Sequence, residues 1–206
     1  MYSSRSGLIL CFHGCDKSIV DTVLTGKASL KESTNKYDWI GHGVYFWDNS
    51  PSRAFDFASY LRDHPNKHSK QGITTPAVIG AVINLGFCLD LLDFENLQFL
   101  KQGHEILSMS YNTSGWELPQ NKAVGSTGDL LLRELDCAVI ETIHQVRKRN
   151  KLRPFDSVRG VFWEGKELYP NAGFREKDHI QICIRNPNCI KGYFLPRTEN
   201  EKYAKI

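Results

Sequence analysis

Apolar positions in the first quarter of the chain alternate between short continuous runs and stretches with helical spacing. The run GLILCFHG predicts a first strand over residues 7–13. DKSIVDTVLTG predicts a short helix with Asp16 as its N-cap. IGHGVYFW, residues 40–47, predicts a buried strand behind a tight glycine turn, and Ser50 begins a further helical pattern. The unit around Tyr45 is therefore strand, polar turn and helix.

The rest of the chain changes from helical to strand patterning. AVIGAVINLG, residues 77–86, predicts a fully buried strand, and helical spacing over 89–107 and 129–150 predicts two helices separated by a polar loop. Three strand patterns follow: VRGVFWEG, DHIQICIRNP and CIKGYFLP. Helices and strands are mixed and strands cluster at the end, which indicates an α+β fold rather than a βαβ repeat. With no internal repeat or linker, we expect a single domain over 1–206.

Composition and charge exclude some classes of function. The 206 residues are 41% hydrophobic and 24% charged, with a formal net charge of +3. This balance is too weakly basic for a dedicated nucleic-acid scaffold, although a nucleic-acid substrate stays possible. No apolar run approaches the roughly 20 residues of a membrane span, and the N-terminal apolar run is too short for a signal peptide. We expect a cytoplasmic protein without membrane contacts.

The spacing of the six cysteines does not indicate a metal site. They lie mostly among apolar neighbours and form no CxxC pair. Free buried thiols in a reducing compartment are the expected state, because small buried cysteines behave as hydrophobic residues. We therefore expect no metal cofactor.

Three polar residues on predicted strands could carry chemistry. His13 ends a strand just before Gly14, where a backbone can approach a ligand closely. Tyr45 alternates with apolar neighbours, and Gln181 is an amide between two isoleucines, where a buried amide needs partners or a ligand. Each of the three, taken alone, also has an ordinary structural explanation.

Together, CFHG, the GHGVYF strand about 30 residues later and DHIQICI resemble the ADP-ribosyltransferase superfamily. The likeness is to its poly(ADP-ribose) polymerase and diphtheria-toxin branch, whose signature is His, Tyr and then Glu, with Gln or Asp in some bacterial members. The matching positions here are His13, Tyr45 and Gln181, a His-Tyr-Gln variant. The resemblance runs from residue 8 to about 194 and implies a split, antiparallel-rich sheet with flanking helices.

The resemblance implies a transferase that uses NAD+ as co-substrate and no metal. His13 and Gly14 would hold NAD+, and the ring of Tyr45 would stack on nicotinamide. Phe57 is our candidate for a second stacking ring. Gln181 would hold a hydroxyl of the nicotinamide ribose, but it lacks the charge of glutamate, which favours mono-ADP-ribosylation over chain elongation.

Several alternatives stay open. Glu164 in RGVFWEG could supply the missing carboxylate, or it could be a solvent-exposed turn glutamate. Water could be the acceptor, which would make the protein an NAD+ glycohydrolase, or Gln181 could mark a catalytically inactive module that binds NAD+ or ADP-ribose. By family analogy, the role would be that of a bacterial toxin, effector or defence enzyme acting on protein or nucleic acid, with room for a neutralising partner.

Overall fold

A computed structural model describes residues 7–65, 72–124 and 128–204 of the chain. Over these ranges it contains nine strands and four α-helices. Their bounds, in chain order, are β1 Ile9–Asp16, α1 Lys17–Leu24, β2 Val44–Asp48, α2 Pro51–Asp63, β3 Pro76–Ile83, β4 Cys88–Asp90, α3 Phe94–Ser114, β5 Asn121–Ala123, β6 Leu130–Arg133, α4 Glu134–Arg149, β7 Ser157–Phe162, β8 His179–Ile184 and β9 Ile190–Phe194.

Seven of these strands form one sheet in the order β4-β7-β8-β2-β1-β3-β9. Every neighbouring pair is antiparallel except β4 and β7, which are parallel. β5 and β6 form a separate antiparallel hairpin. The predicted α+β class is therefore confirmed, with strands from the beginning and the end of the chain interleaved at the centre of the sheet.

Helices cover both faces of the large sheet. α1 packs its buried Val20 and Val23 into the core on one face, together with Phe46 of β2. On the other face α2 covers β1 and β3, while α3 and α4 cover β7 and β8. Within the described ranges, none of the helices is both long and apolar enough to cross a membrane. The candidate residues His13, Tyr45 and Gln181 lie on β1, β2 and β8, which are neighbours at the centre of the large sheet.

Two predicted helices begin later than their sequence patterns suggest. The segment predicted to be helical from residue 89 starts as β4, where Leu89 is fully buried and pairs with Val158 of β7. α3 then begins at Phe94, is capped by the carboxylate of the preceding Asp93, and runs on into the predicted loop as far as Ser114. The segment predicted from residue 129 likewise starts as β6 before α4. Pairing with the distant strand β7 overrides the local helical spacing in the first case, and pairing with the nearby strand β5 does so in the second.

A buried arginine ties three strands of the sheet together. Arg159 of β7 is only 5% exposed, and its guanidinium donates to Asp48 of β2 and to Asp90 of β4. Both pairs cross the sheet on the face that α1 covers. Because the guanidinium is hydrogen-bonded to two carboxylates, the network accounts for a buried cation without requiring a functional role.

Candidate functional site

Strands β1 and β2 pair over only a short stretch and then part. The register pairs Cys11 with Asp48 and Phe12 with Trp47, and it includes no later residue of β1. β1 nevertheless continues to Asp16 and remains paired with β3 along its whole length. β1 and β2 thus diverge beyond Phe12, although both belong to one continuous seven-stranded sheet.

His13 occupies the point where the two strands part. Its Nδ1–H donates to the carbonyl oxygen of Tyr45 at 2.7 Å. If the register continued, Gly14 would lie opposite Tyr45, and the Gly14 N–H would donate to the Tyr45 carbonyl. The imidazole of His13 donates to that carbonyl instead. The side chain of His13 therefore substitutes for a ladder hydrogen bond.

The peptide groups of Gly14 point toward the parted side. The carbonyl of Leu10 accepts from the N–H of Asn49, which follows β2, and alternation gives Gly14 the same orientation as Leu10. The absence of a Cβ at Gly14 also has a packing reason, because an ideal Cβ would lie 1.9 Å from the carbonyl oxygen of Ala54 in α2. Glycine is needed here for helix packing, whether or not a ligand binds.

The bond to Tyr45 fixes the tautomer of His13. A carbonyl oxygen can only accept, so the hydrogen sits on Nδ1 and the lone pair on Nε2. Burial lowers the pKa of His13 below its ordinary value, which keeps the ring neutral near pH 7. Nε2 is therefore an acceptor, suited to a hydroxyl donor.

The hydroxyl of Tyr45 is used within the fold. It donates to the carbonyl of Gly41 at 2.7 Å and accepts from the N–H of Ile40 at 3.1 Å. Burial raises the pKa of Tyr45 well above its usual value, so the hydroxyl stays protonated. The hydroxyl closes the glycine turn, and the half-buried ring is the part of Tyr45 that can meet a ligand.

Gln181 shares a face of the sheet with Tyr45. It lies opposite Trp47 of β2 on one side and Gly160 of β7 on the other, and Tyr45 is opposite Cys183 in the same ladder. His13 projects from the other face, so a ligand lying between the parted strands could meet side chains from both. Gln181 is half-buried and makes no side-chain hydrogen bond with any residue in the ranges that the structure covers.

Two further predicted residues lie around Trp47 rather than around Tyr45. Phe57 of α2 packs on Trp47 with ring centroids 5.0 Å apart. Glu164 is only 17% exposed and accepts from Arg53 at 2.8 Å. The interpretation of Glu164 as a solvent-exposed turn residue is therefore wrong, and its carboxylate is neutralised by an arginine.

A cluster of buried nitrogen atoms beside Gln181 was missed by sequence reasoning. Among the described residues, Trp47 Nε1, Arg53 Nε and His179 Nε2 are buried without a hydrogen-bond partner. The ring centroids of Trp47 and His179 are 6.2 Å apart, and the guanidinium of Arg53 lies 5.8 Å from the Trp47 ring. The alternation of His179 with Gln181 on β8 was the available signal, whereas the position of Arg53 depends on how α2 docks.

Cys137, His42 and Glu141 form an arrangement that superficially resembles a nucleophilic triad. The Sγ of Cys137 is 3.7 Å from His42 Nε2, and His42 Nδ1 is 3.8 Å from a carboxylate oxygen of Glu141. Burial raises the pKa of the Cys137 thiol to about 12, so the thiolate that would attack a substrate is not formed. We assign these residues to the support of the glycine turn.

The cysteine, histidine and acidic side chains of the described residues are not grouped as metal ligands. All six cysteines are free and buried. Across residues 7–65, 72–124 and 128–204, no three His, Cys, Asp or Glu side chains are grouped so that they could hold a metal ion. No family model, no curated protein and no solved structure matches this chain, so the residues of the parted cleft are the basis for a functional assignment.

Proposed function

We propose that this protein is a mono-ADP-ribosyltransferase, which transfers ADP-ribose from NAD+ to a macromolecular acceptor and releases nicotinamide. The observation that carries the proposal is the parting of β1 from β2 at His13, Gly14 and Tyr45, with Gln181 on the next strand. These are the positions at which the sequence resembles the ADP-ribosyltransferase superfamily. The specific ADP-ribosyltransferase fold is part of the same proposal.

Each residue of the cleft has a role that its geometry supports. The Gly14 N–H and C=O, which point away from β3, would pair with the carboxamide of nicotinamide, which offers one acceptor and one donor. The Tyr45 ring would stack on the pyridinium, since its hydroxyl is already engaged in the turn. The Nε2 of His13 would accept from a ribose hydroxyl.

The reaction breaks the bond between C1′ of ribose and N1 of nicotinamide. The bonding electrons leave with nicotinamide, which neutralises its pyridinium charge, and positive charge develops on the ribose. The acceptor nucleophile then bonds to C1′ and loses its proton. The Gln181 amide would orient a ribose hydroxyl through this step, and its dipole would stabilise the developing charge less strongly than a carboxylate would.

The neutral side chain at position 181 favours a single transfer. Chain elongation requires a second ADP-ribose to be activated as acceptor, a task for which a general base is suited and an amide is not. Glu164 is a poor replacement, because its carboxylate is bound by Arg53 at 2.8 Å. Transfer of one ADP-ribose unit is therefore the outcome we expect.

The test is incubation of the purified protein with adenine-labelled NAD+ and a cell lysate. We expect nicotinamide release together with label that sediments with macromolecules, and protease and nuclease digestion then identify the acceptor class. His13→Ala and Tyr45→Leu should each strongly reduce transfer, while Tyr169→Leu, a change at an exposed tyrosine outside the cleft, should not.

The same incubation separates the alternatives. Nicotinamide release with only free ADP-ribose would identify an NAD+ glycohydrolase. NAD+ binding by calorimetry without any nicotinamide release would identify an inactive binding module. Failure to bind or consume NAD+ at millimolar concentration would overturn the whole proposal.

A further inference from the structure

The glycine turn that precedes β2, residues 40–43 (the β2 turn), is tightly enclosed by α4 and β8. Gly41 and Gly43 have φ angles of +83° and +156°, which side chains rarely adopt. An ideal Cβ on Gly41 would lie 2.7 Å from Glu141 Oε1, and one on Gly43 would lie 2.5 Å from the carbonyl oxygen of Ile184. The path of the β2 turn is therefore determined by its neighbours.

One ion pair holds both peptide groups of His42 at the tip of this turn. The His42 N–H donates to Glu141 Oε1 at 2.8 Å, and Arg185 Nη1 donates to the His42 carbonyl at 2.9 Å. Arg185 and Glu141 also bind each other through both nitrogens and both oxygens of their charged groups. Glu141 belongs to α4 and Arg185 follows β8, so the pair fixes the β2 turn against two separate elements.

The hydroxyl of Tyr45 is hydrogen-bonded to the same turn. It bonds to the N–H of Ile40 and to the carbonyl of Gly41, the residues immediately before His42. A shift of the β2 turn therefore moves the end of the Tyr45 ring, while the backbone of Tyr45 stays paired with Cys183 of β8. The ring is held at one end by the strand and at the other by the turn.

We propose that Glu141 and Arg185 are positioning residues that set the orientation of the Tyr45 ring in the cleft between β1 and β2. The inference rests on the proposed function in one respect, because the Tyr45 ring matters for catalysis only if it stacks on a ligand. Neither residue needs to touch that ligand. They act through the peptide of His42 and the hydroxyl bonds of Tyr45.

The two members of the pair should differ in how well they tolerate substitution. Arg185→Gln removes the charge that balances Glu141 and weakens the donation to the His42 carbonyl, leaving a half-buried carboxylate without its partner. Glu141→Gln keeps an oxygen that can accept from the His42 N–H, so the turn should keep most of its geometry. Glu141→Ala removes that acceptor. We expect the order of effect Arg185→Gln ≈ Glu141→Ala > Glu141→Gln.

The experiment combines two readouts on the full chain. The first is the 13C resonance of the Tyr45 ring in protein labelled on tyrosine, assigned by its loss in Tyr45→Phe. The second is the KM for NAD+ with kcat from nicotinamide release, alongside the melting temperature. Arg149→Gln and Glu105→Gln are the matched controls, because both residues are exposed and neither belongs to the β2 turn or to the ion pair that holds it.

We expect the Tyr45 resonance to shift or broaden in Arg185→Gln and Glu141→Ala, with KM raised about tenfold and kcat changed less, since a displaced ring weakens nicotinamide stacking. In Glu141→Gln both the resonance and KM should stay close to those of the unmodified protein. If Arg185→Gln fails to fold, the comparison of Glu141→Gln with Glu141→Ala still tests the inference. An unmoved Tyr45 resonance, or a moved resonance with unchanged KM, would overturn the inference. Absence of turnover in the unmodified protein would instead overturn the proposed function, and the resonance would still report whether the pair orients the ring.

Discussion

Gln181 lies directly opposite Trp47 in the ladder between β2 and β8, and Gly160 lies opposite it on the other side. The amide is therefore placed between an indole and a residue without a side chain. The side chain is half-buried and forms no hydrogen bond within the part of the chain covered by the structure, so the fold itself uses neither its donor nor its acceptor group. In a ladder flanked by apolar residues, this makes Gln181 the most direct probe of the proposed chemistry.

Substitution of Gln181 should change the rate in both directions. Gln181→Leu removes the hydrogen bond to the ribose hydroxyl and should lower kcat/KM for nicotinamide release by about 10- to 100-fold. Gln181→Glu places a negative charge near the developing oxocarbenium ion and should raise kcat by about tenfold. The measurement is initial-rate kinetics with NAD+, and Gln145→Glu on the exposed side of α4 is the control. An unchanged rate in Gln181→Leu would remove this residue from the site.

The ring and the hydroxyl of Tyr45 should be separable by mutation. Tyr45→Phe keeps the stacking face but leaves the turn groups of Ile40 and Gly41 without their partner, so the free energy of unfolding should fall by about 1–3 kcal/mol. KM for NAD+ should rise by about tenfold, as in Arg185→Gln, because the turn no longer holds the end of the ring. Tyr45→Leu keeps apolar volume but loses the flat face, and KM should rise steeply. Urea denaturation and steady-state kinetics measure the two effects. An unchanged KM in Tyr45→Phe would mean that the hydroxyl bonds do not set the orientation of the ring, and a KM as high as that of Tyr45→Leu would mean that the hydroxyl itself meets the ligand.

Addition of a methyl group at Gly14 should displace α2. Because an ideal Cβ would lie 1.9 Å from the carbonyl oxygen of Ala54, Gly14→Ala should lower the free energy of unfolding by about 3 kcal/mol or more. Gly192→Ala in β9 is the matched control, since nothing lies within 4 Å of its ideal Cβ. Equal stability of the two variants in chemical denaturation would show that α2 does not sit on β1 as described.

Stability should decrease as the pH falls from 7 to 5. Burial lowers the pKa of His144 to about 4 and also lowers the pKa values of His13 and His179. A group whose pKa is lower in the folded state binds fewer protons there than in the unfolded chain, so its contribution is present above about pH 6.5 and is lost on acidification.

The His144→Gln variant isolates one part of this effect. His144 alone should account for up to about 2 kcal/mol between pH 7 and 5, so the variant should show a smaller pH-dependent change than the unmodified protein. His104→Gln serves as the control because His104 is exposed on α3. Urea denaturation at the two pH values is the measurement, and an identical pH dependence in the unmodified protein and His144→Gln would show that the ring is not buried neutral.

Local sequence patterns were sufficient for the strands that carry His13 and Tyr45 and for the helices that follow them. Asp16 was predicted as the cap of α1, and its carboxylate does accept from the N–H of Ser18. These features depend on residues within one or two turns of each other. Helical periodicity, helix caps and glycine turns are determined by such short stretches of sequence.

Features that depend on distant pairing could not be predicted in this way. β4 exists because Leu89 meets Val158, and the neutralisation of Glu164 depends on the docking of Arg53 from another element. The Glu141–Arg185 pair is similar, since neither residue belongs to a motif and each contacts His42 only after folding. A single sequence contains no local signal for such contacts.

The order of the strands determines when, during protein synthesis, the candidate site can form. β2, made early, is paired with β8, and Arg185 reaches back 143 residues to the peptide of His42. A nascent chain that has completed β1 and β2 therefore has neither Gln181 nor the support of the β2 turn. Contacts of such high sequence separation form slowly and late. While the ribosome is still translating the middle of the message, the cleft does not exist, and any activity that it supports begins only after the C-terminal strands have emerged.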